Sequence, residues 1–205
     1  MKPKILNVGC GYSKIPIPDI EEVRLDIDPI VEPDIVCDAR NLTEVGRGEY
    51  DGVWMQHVLE HFCEYDVQSV LNGIDFVLKP TGVLILIVPD IVEAISHVIE
   101  KQASINDVIL CTQTDPIRTI DMIYGLQSKI ASGNEFYAHK MAFDRKSLTG
   151  LLHQNGFKHI HFVKSVLEIR AVATKDLAYP EWIQKYMSQG TKHKEDEITE
   201  MWMNW

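Results

Sequence analysis

Apolar positions in the first ninety residues fall into short runs: Ile5–Val8, Val23–Ile27, Ile35–Cys37, Val53–Met55 and Val83–Val88. Each is followed by turn chemistry or polar residues, and most do not alternate. Runs that are apolar on both faces predict buried parallel strands, hence a sheet covered by helices. Between the fourth and fifth runs, Val67, Val70, Leu71, Ile74, Phe76, Val77 and Leu78 recur at near-helical spacing. Lys79-Pro80-Thr81-Gly82 then breaks the pattern, so this segment reads as strand, helix, strand. After Pro89 the pattern changes. Residues 91–138 predict two or three helices and no strong strand. Asp144 to Leu152 reads as a helix with Asp144 as N-cap and Asn155-Gly156 as its stop. Phe157–Val163 and Leu167–Thr174 are separated by only three residues and must pair antiparallel.

The 205 residues suffice for one domain, expected over 1–174 with a helical insert at about 91–143. The tail, 175–205, is polar until Met201, Trp202, Met203 and Trp205, which predict either docking on the domain or a flexible end. A net charge of −10 repels polyphosphate, so no nucleic-acid partner is expected. The longest strictly aliphatic run, Val83–Val88, is far short of the roughly 20 residues that span a bilayer. Lys2 and Lys4 precede an apolar stretch that ends at Gly9, too short for an export signal. Cys10, Cys37, Cys63 and Cys111 are scattered, with no CxxC pair. They predict reduced thiols in a cytoplasmic protein without bound metal.

Six segments sit in order on this framework. Leu6-Asn7-Val8-Gly9-Cys10-Gly11 closes the first strand, and Arg24-Leu25-Asp26-Ile27-Asp28 ends the second on an acid. Cys37-Asp38-Ala39-Arg40-Asn41-Leu42 follows the third. Tyr50-Asp51-Gly52-Val53-Trp54 leads into His57-Val58-Leu59-Glu60-His61. Leu78 to Leu84 enters the fifth strand, and Asn155-Gly156-Phe157 precedes the hairpin. Together they resemble the class I S-adenosylmethionine-dependent methyltransferases over about residues 4–174. The resemblance implies an α/β, doubly wound, mostly parallel, Rossmann-like sheet with a reversed last strand. It also implies S-adenosylmethionine as cofactor, contacted at Asn7, Gly9, Gly11, Asp26, Ile27, Asp38, Ala39, Gln56 and His57. The pattern departs at Asn7, where an acid is usual, and at Ser13, where a third glycine is common. The stretch 28–34 is also short for a helical crossover and predicts a shrunken helical layer on that side.

Individual residues carry competing readings. Gly9 and Gly11 allow a tight turn and close approach of a ligand, but the same GxG opens the dinucleotide fingerprint. That fingerprint places pyrophosphate on a helix N-terminus, whereas Lys14-Ile15-Pro16-Ile17-Pro18 starts a helix poorly. A phosphate-free sulfonium cofactor tolerates the loss, which disfavours an NAD-dependent oxidoreductase. Asp26 is placed to accept from ribose hydroxyls, with Asp28 as the alternative acid. Asp38 would accept from the adenine amino group or cap the following turn.

His57 to His61 also reads as HxxEH, a zinc-protease signature, with Glu135 as a remote third ligand. Its position at a strand exit and the surrounding pattern speak against that reading. In the resembling family the insert forms a lid over the acceptor, which makes Tyr124, Tyr137 and His139 contacts for a small-molecule substrate. Glu60 and His61 would orient the loop, and His57 or His139 would hold or deprotonate the acceptor. By analogy the acceptor is a sugar or polysaccharide precursor. The alternative of another class is a catalytically silent cofactor-binding module. Nothing in the sequence speaks to oligomeric state.

Overall fold

The computed structural model describes residues 1–112, 115–176 and 178–188; Met201, Trp202, Met203 and Trp205 lie outside them. Five strands come first: β1 (Lys4–Val8), β2 (Glu21–Asp26), β3 (Ile35–Val36), β4 (Tyr50–Gln56) and, after helix α1 (Glu64–Val77), β5 (Leu78–Pro89). The insert holds α2 (Ile91–Lys101), β6 (Val108–Cys111), β7 (Pro116–Arg118), α3 (Thr119–Tyr124) and α4 (Gln127–Ala131). The chain continues through α5 (Arg145–Gln154), β8 (His159–Val163), β9 (Glu168–Thr174) and α6 (Glu181–Ser188).

Seven strands form one sheet in the order β3-β2-β1-β4-β5-β9-β8, with β9 antiparallel to both neighbours and the first five strands parallel. This is the mostly parallel sheet with a reversed last strand that the sequence predicts. The apolar run Val83–Val88 is buried throughout because both faces of the sheet are covered. On one face lie α1, α5 and a 3₁₀ segment, Ala39–Glu44. Gly73 of α1 lets Leu42 approach: a Cβ there would meet the Leu42 Cβ at 2.9 Å.

The opposite face is built differently. A right-handed crossover from β1 to β2 would place a helix there, but no helix forms between these strands. The Pro16 and Pro18 segment runs irregularly, with Ile15 and Ile17 buried against Ile5, Trp54 and Ile85. The space is filled from the other end of the chain. Ile183 and Tyr186 of α6 join this cluster, and Tyr186 meets Trp54 edge-on at 5.3 Å. Gly52 leaves room for the Trp182 ring, which would stand 2.8 Å from a Cβ at that position. The tail, expected to dock on the domain or to be flexible, carries a helix packed on the sheet within its described residues. Between β2 and β3 a single 3₁₀ turn, Pro29–Val31, replaces a crossover helix.

Two boundaries differ from the sequence expectation. Helix α1 ends at Val77, and Leu78 already pairs with Tyr50, so Pro80 lies in the irregular start of β5 rather than in a helix stop. The insert contains the hairpin β6–β7, where no strong strand is predicted. Its strands are four and three residues long, too short to show a period. Helix α5 follows its prediction, capped by Asp144, with Gly156 at φ +84° beyond its end. Among the described residues, no helix is long and apolar enough to cross a membrane.

Candidate active site

In open α/β sheets, ligands bind beyond the carboxyl ends of the strands, where the strand order reverses. Here β1 and β4 flank that point. Gly9 leaves β1 at φ +65°, and a Cβ on it would run into the Val58 side chain, so this turn packs directly on the loop after β4. The Gly11 N–H donates to Asp26 Oδ2 at 2.8 Å, and the Asp28 N–H donates to Oδ1 at 2.9 Å. Arg24 ties the same loops together by donating to the carbonyls of Gly11 (2.6 Å) and Val31 (3.1 Å). The turn and the acid at the end of β2 are therefore pre-organised as one unit.

Asn7 is buried beneath this turn and donates to Glu22 Oε1 (2.7 Å) and to the Ser13 carbonyl (3.4 Å). Its amide group holds the irregular stretch that replaces the first crossover helix. Ile27 is 41% exposed just past β2. Asp38 caps the Ala39–Glu44 segment through the Arg40 N–H and also binds the Arg40 guanidinium at 2.6 Å. The Arg40 side chain holds its carboxyl below the usual range. Ala39 is buried beside it. The capping role is thus filled, with the carboxylate at the sheet edge that carries Asp26.

Gln56 is half-buried at the end of β4. His57 then turns the chain at φ +53°, a left-handed conformation that non-glycine residues seldom adopt. Its ring is clamped on both sides, Nδ1 to Glu60 Oε1 at 3.3 Å and Nε2 to Glu168 Oε1 at 3.0 Å. Burial works against the charged ring, but its hydrogen bonds to the Glu168 and Glu60 carboxylates outweigh it and raise its pKa to about 10. Burial likewise pushes Glu168 up, and His57 with Arg170 overrides it, holding the carboxyl at about 2. The Arg170 Nη2 donates to Glu168 Oε2 at 2.7 Å. With both nitrogens engaged and the ring protonated, His57 has no lone pair with which to act as a base. Of the two roles expected of His57 or His139, holding or deprotonating the acceptor, the carboxylates on both His57 nitrogens disfavour the second for His57.

Glu60 is 1% exposed on a 3₁₀ turn, Leu59–His61. Its carbonyl accepts the N–H groups of Lys140 (2.8 Å) and Met141 (3.1 Å), which fastens the end of the insert to the loop after β4. That junction brings His139 beside His61, with ring centroids 4.9 Å apart. Nδ1 of His61 donates to the Ala138 carbonyl at 3.1 Å, and Nδ1 of His139 to the Met122 carbonyl at 2.9 Å. On each ring Nε2 is the nitrogen not engaged by these bonds. Burial lowers the His139 pKa, so this ring is neutral near pH 7.

Gly125 makes the approach possible. At φ +89° it bridges to Ala138, where a Cβ would run into the Tyr137 carbonyl. Gly125→Ala is expected to destabilise the fold by about 1–3 kcal/mol in urea denaturation; unchanged stability would show that the bridge is loose.

These groups wall a cavity of about 330 Å³. His57, His61, His139, Tyr137, Glu168 and Arg170 line one part, and an apolar wall that includes Leu110, Ile117, Met122, Leu126 and Val166 is interrupted by Thr112, Asp121 and Ser165. Tyr124 is not among the lining residues: it is 60% exposed, and its carbonyl accepts the His139 N–H. The HxxEH reading does not survive this geometry. The His57 ring is taken by two carboxylates, and His139 rather than His57 joins Glu60 and His61. Glu168 and Arg170 were not anticipated. Their sequence signal is a charged pair two apart in the otherwise apolar β9.

Residues 6–86 match the family model described as a methyltransferase domain. No curated protein matches the chain. Among solved structures, a SAM-dependent methyltransferase from Archaeoglobus fulgidus aligns over 84% of this chain and 86% of its own, at 14% identity and a TM-score of 0.52. A possible histamine N-methyltransferase from Thermotoga maritima aligns over 86% and 84%, at 15% identity and 0.55. The Burkholderia thailandensis 1,6-didemethyltoxoflavin-N1-methyltransferase, solved with S-adenosylhomocysteine, aligns over 85% and 72%, at 14% identity and 0.52. The chain has the fold of the class I S-adenosylmethionine-dependent methyltransferases, and residues 6–86 of it are similar to the methyltransferase-domain family.

Proposed function

We propose that the chain transfers a methyl group to a small molecule held in the 330 Å³ cavity, with S-adenosylmethionine seated across the ends of β1, β2 and β3. The observation that carries this is the packing of the Gly9 turn on Val58, which sets the cofactor side of the sheet against the His57–His61 wall of the cavity. Residues at the cofactor end fit such a ligand. A Cβ on Gly11 would meet only open space, and Asp26, fixed by two backbone N–H groups, keeps lone pairs for ribose hydroxyls. The Asp38–Ala39 edge would receive the adenine. The cofactor supplies an electrophilic methyl group, so the main tasks of the protein are to align the acceptor and to exclude water.

The cavity wall supports an acceptor with an apolar body and a polar end. Leu110, Ile117, Met122, Leu126 and Val166 offer it no hydrogen-bonding side chains, whereas His61 and His139 meet the polar end. Thr112, Asp121 and Ser165 add polar groups along the wall, so the lining fits a small molecule with both apolar and polar parts.

Isothermal titration tests the cofactor assignment. S-adenosylmethionine and S-adenosylhomocysteine are expected to bind and NAD is not; the reverse pattern would overturn the reading. Asp26→Ala loses charge-assisted bonds of about 1.5–3 kcal/mol each and should weaken binding roughly tenfold to a hundredfold per bond. Release of S-adenosylhomocysteine with a panel of small-molecule acceptors then separates an enzyme from a silent binding module.

A further inference from the structure

We infer that Glu60, His61 and His139 bind a divalent transition-metal ion of the zinc type, with its open coordination position facing the cavity. One ligating atom from each of the three side chains lies within 4.8 Å of the others. Glu60 is almost wholly buried, and its Oε2 has no hydrogen-bond partner, although Oε1 is held by His57. A buried carboxylate oxygen left bare is costly and calls for a partner.

The two imidazoles are prepared in the same sense. Each gives Nδ1–H to a backbone carbonyl, Ala138 for His61 and Met122 for His139. That is how metal-binding histidines are commonly oriented, with the bond fixing the tautomer and leaving Nε2 as the ligand. His57 supplies a corresponding outer contact to the carboxylate. Ligands around a tetrahedral zinc ion stand roughly 3.4 Å apart, so groups within 4.8 Å of one another need to close by at most about 1.4 Å.

The donor set selects the ion. Two imidazoles and one carboxylate suit zinc and neighbouring transition metals, while magnesium prefers an all-oxygen shell. Three protein ligands leave a fourth position for water or substrate, the arrangement of catalytic rather than structural zinc. His61 and His139 both line the cavity, so that position opens into it. An ion there would hold an oxygen of the acceptor and lower its proton affinity. This assigns the acceptor as an oxygen-bearing molecule, a part of the inference that rests on the methyltransferase reading; metal binding itself does not. The metal-free chain expected from the cysteine pattern is replaced by a site that needs no cysteine.

The test uses the full chain without a histidine tag, stripped with a chelator and titrated with Zn²⁺ and Co²⁺. One ion per chain is expected, with the visible absorption of cobalt in a low-symmetry four- or five-coordinate site. His61→Ala and His139→Ala should each weaken binding by at least about a hundredfold, with S-adenosylhomocysteine affinity retained as proof of folding. Wild-type protein that binds S-adenosylhomocysteine but no stoichiometric metal would overturn the site and leave the methyltransferase reading intact. Undiminished binding by the double variant would also overturn it, since the ion would then sit elsewhere. If the variants fail to fold, the wild-type titration and its cobalt spectrum still decide. Metal bound without any affinity for S-adenosylmethionine or S-adenosylhomocysteine would support the metal site and sink the functional reading.

Discussion

Replacing His139 by alanine is expected to lower methyl transfer by about 10²–10⁴-fold while leaving S-adenosylmethionine affinity unchanged. His139 stands at the cavity wall with a neutral ring and a free Nε2, and none of its hydrogen bonds reaches the Gly9–Asp26 unit. Whether it meets the acceptor directly or through an ion, its contribution falls on the acceptor and the transition state. Loss of such a group lowers turnover without weakening the cofactor complex. His57→Gln should behave differently, because that ring has no lone pair to give and acts by holding Glu60 and Glu168. Its turnover should fall less than that of His139→Ala. The check is steady-state release of S-adenosylhomocysteine alongside cofactor titration for each variant. Wild-type turnover in His139→Ala would move the acceptor away from this wall.

Glu168→Gln is expected to lower folding stability by about 2–3 kcal/mol near pH 6. That is less than the usual loss for a broken buried pair, because the His57 side chain is 39% exposed and water screens part of the interaction. The pH dependence has a definite sign. Glu168 titrates at about 2 in the fold, below its ordinary 4.5, so its contribution stands above pH 4.5 and is lost as pH falls through 2. His57 titrates at about 10, above its ordinary 6.5, so its contribution stands below pH 6.5 and is lost as pH rises through 10. The clamp is therefore fullest between about pH 4.5 and 6.5. Urea unfolding at pH 6 and pH 10 should show wild type losing its advantage over Glu168→Gln at the higher pH. Equal differences at the two pH values would mean that the pair is not a titrating clamp.

The sequence by itself determined the sheet and the turn that joins Gly9 and Gly11 to Asp26. Apolar runs, the Gly9-Cys10-Gly11 turn, Asp26 at a strand end and the Asp144 cap are local signals, each complete within a few residues. Parallel strands buried on both faces leave little choice of layering. The absence of a helix between β1 and β2 was legible too, because Pro16 and Pro18 forbid it locally. Only the tertiary structure decided what covers the exposed face there: α6, joined by Ile183 and Tyr186 from the far end of the chain. The acceptor side was illegible for the same reason. His57 meets Glu168 across 111 residues, and His61 meets Ala138 across 77. Both meetings are set by strand order and by the two backbone bonds on the Glu60 carbonyl. A histidine's charge and its free nitrogen depend on which groups stand within about 3 Å of its ring. The sequence names the histidines, but their neighbours come from folding: that both ring nitrogens of His57 meet carboxylates, of Glu60 and Glu168, is visible only in the fold.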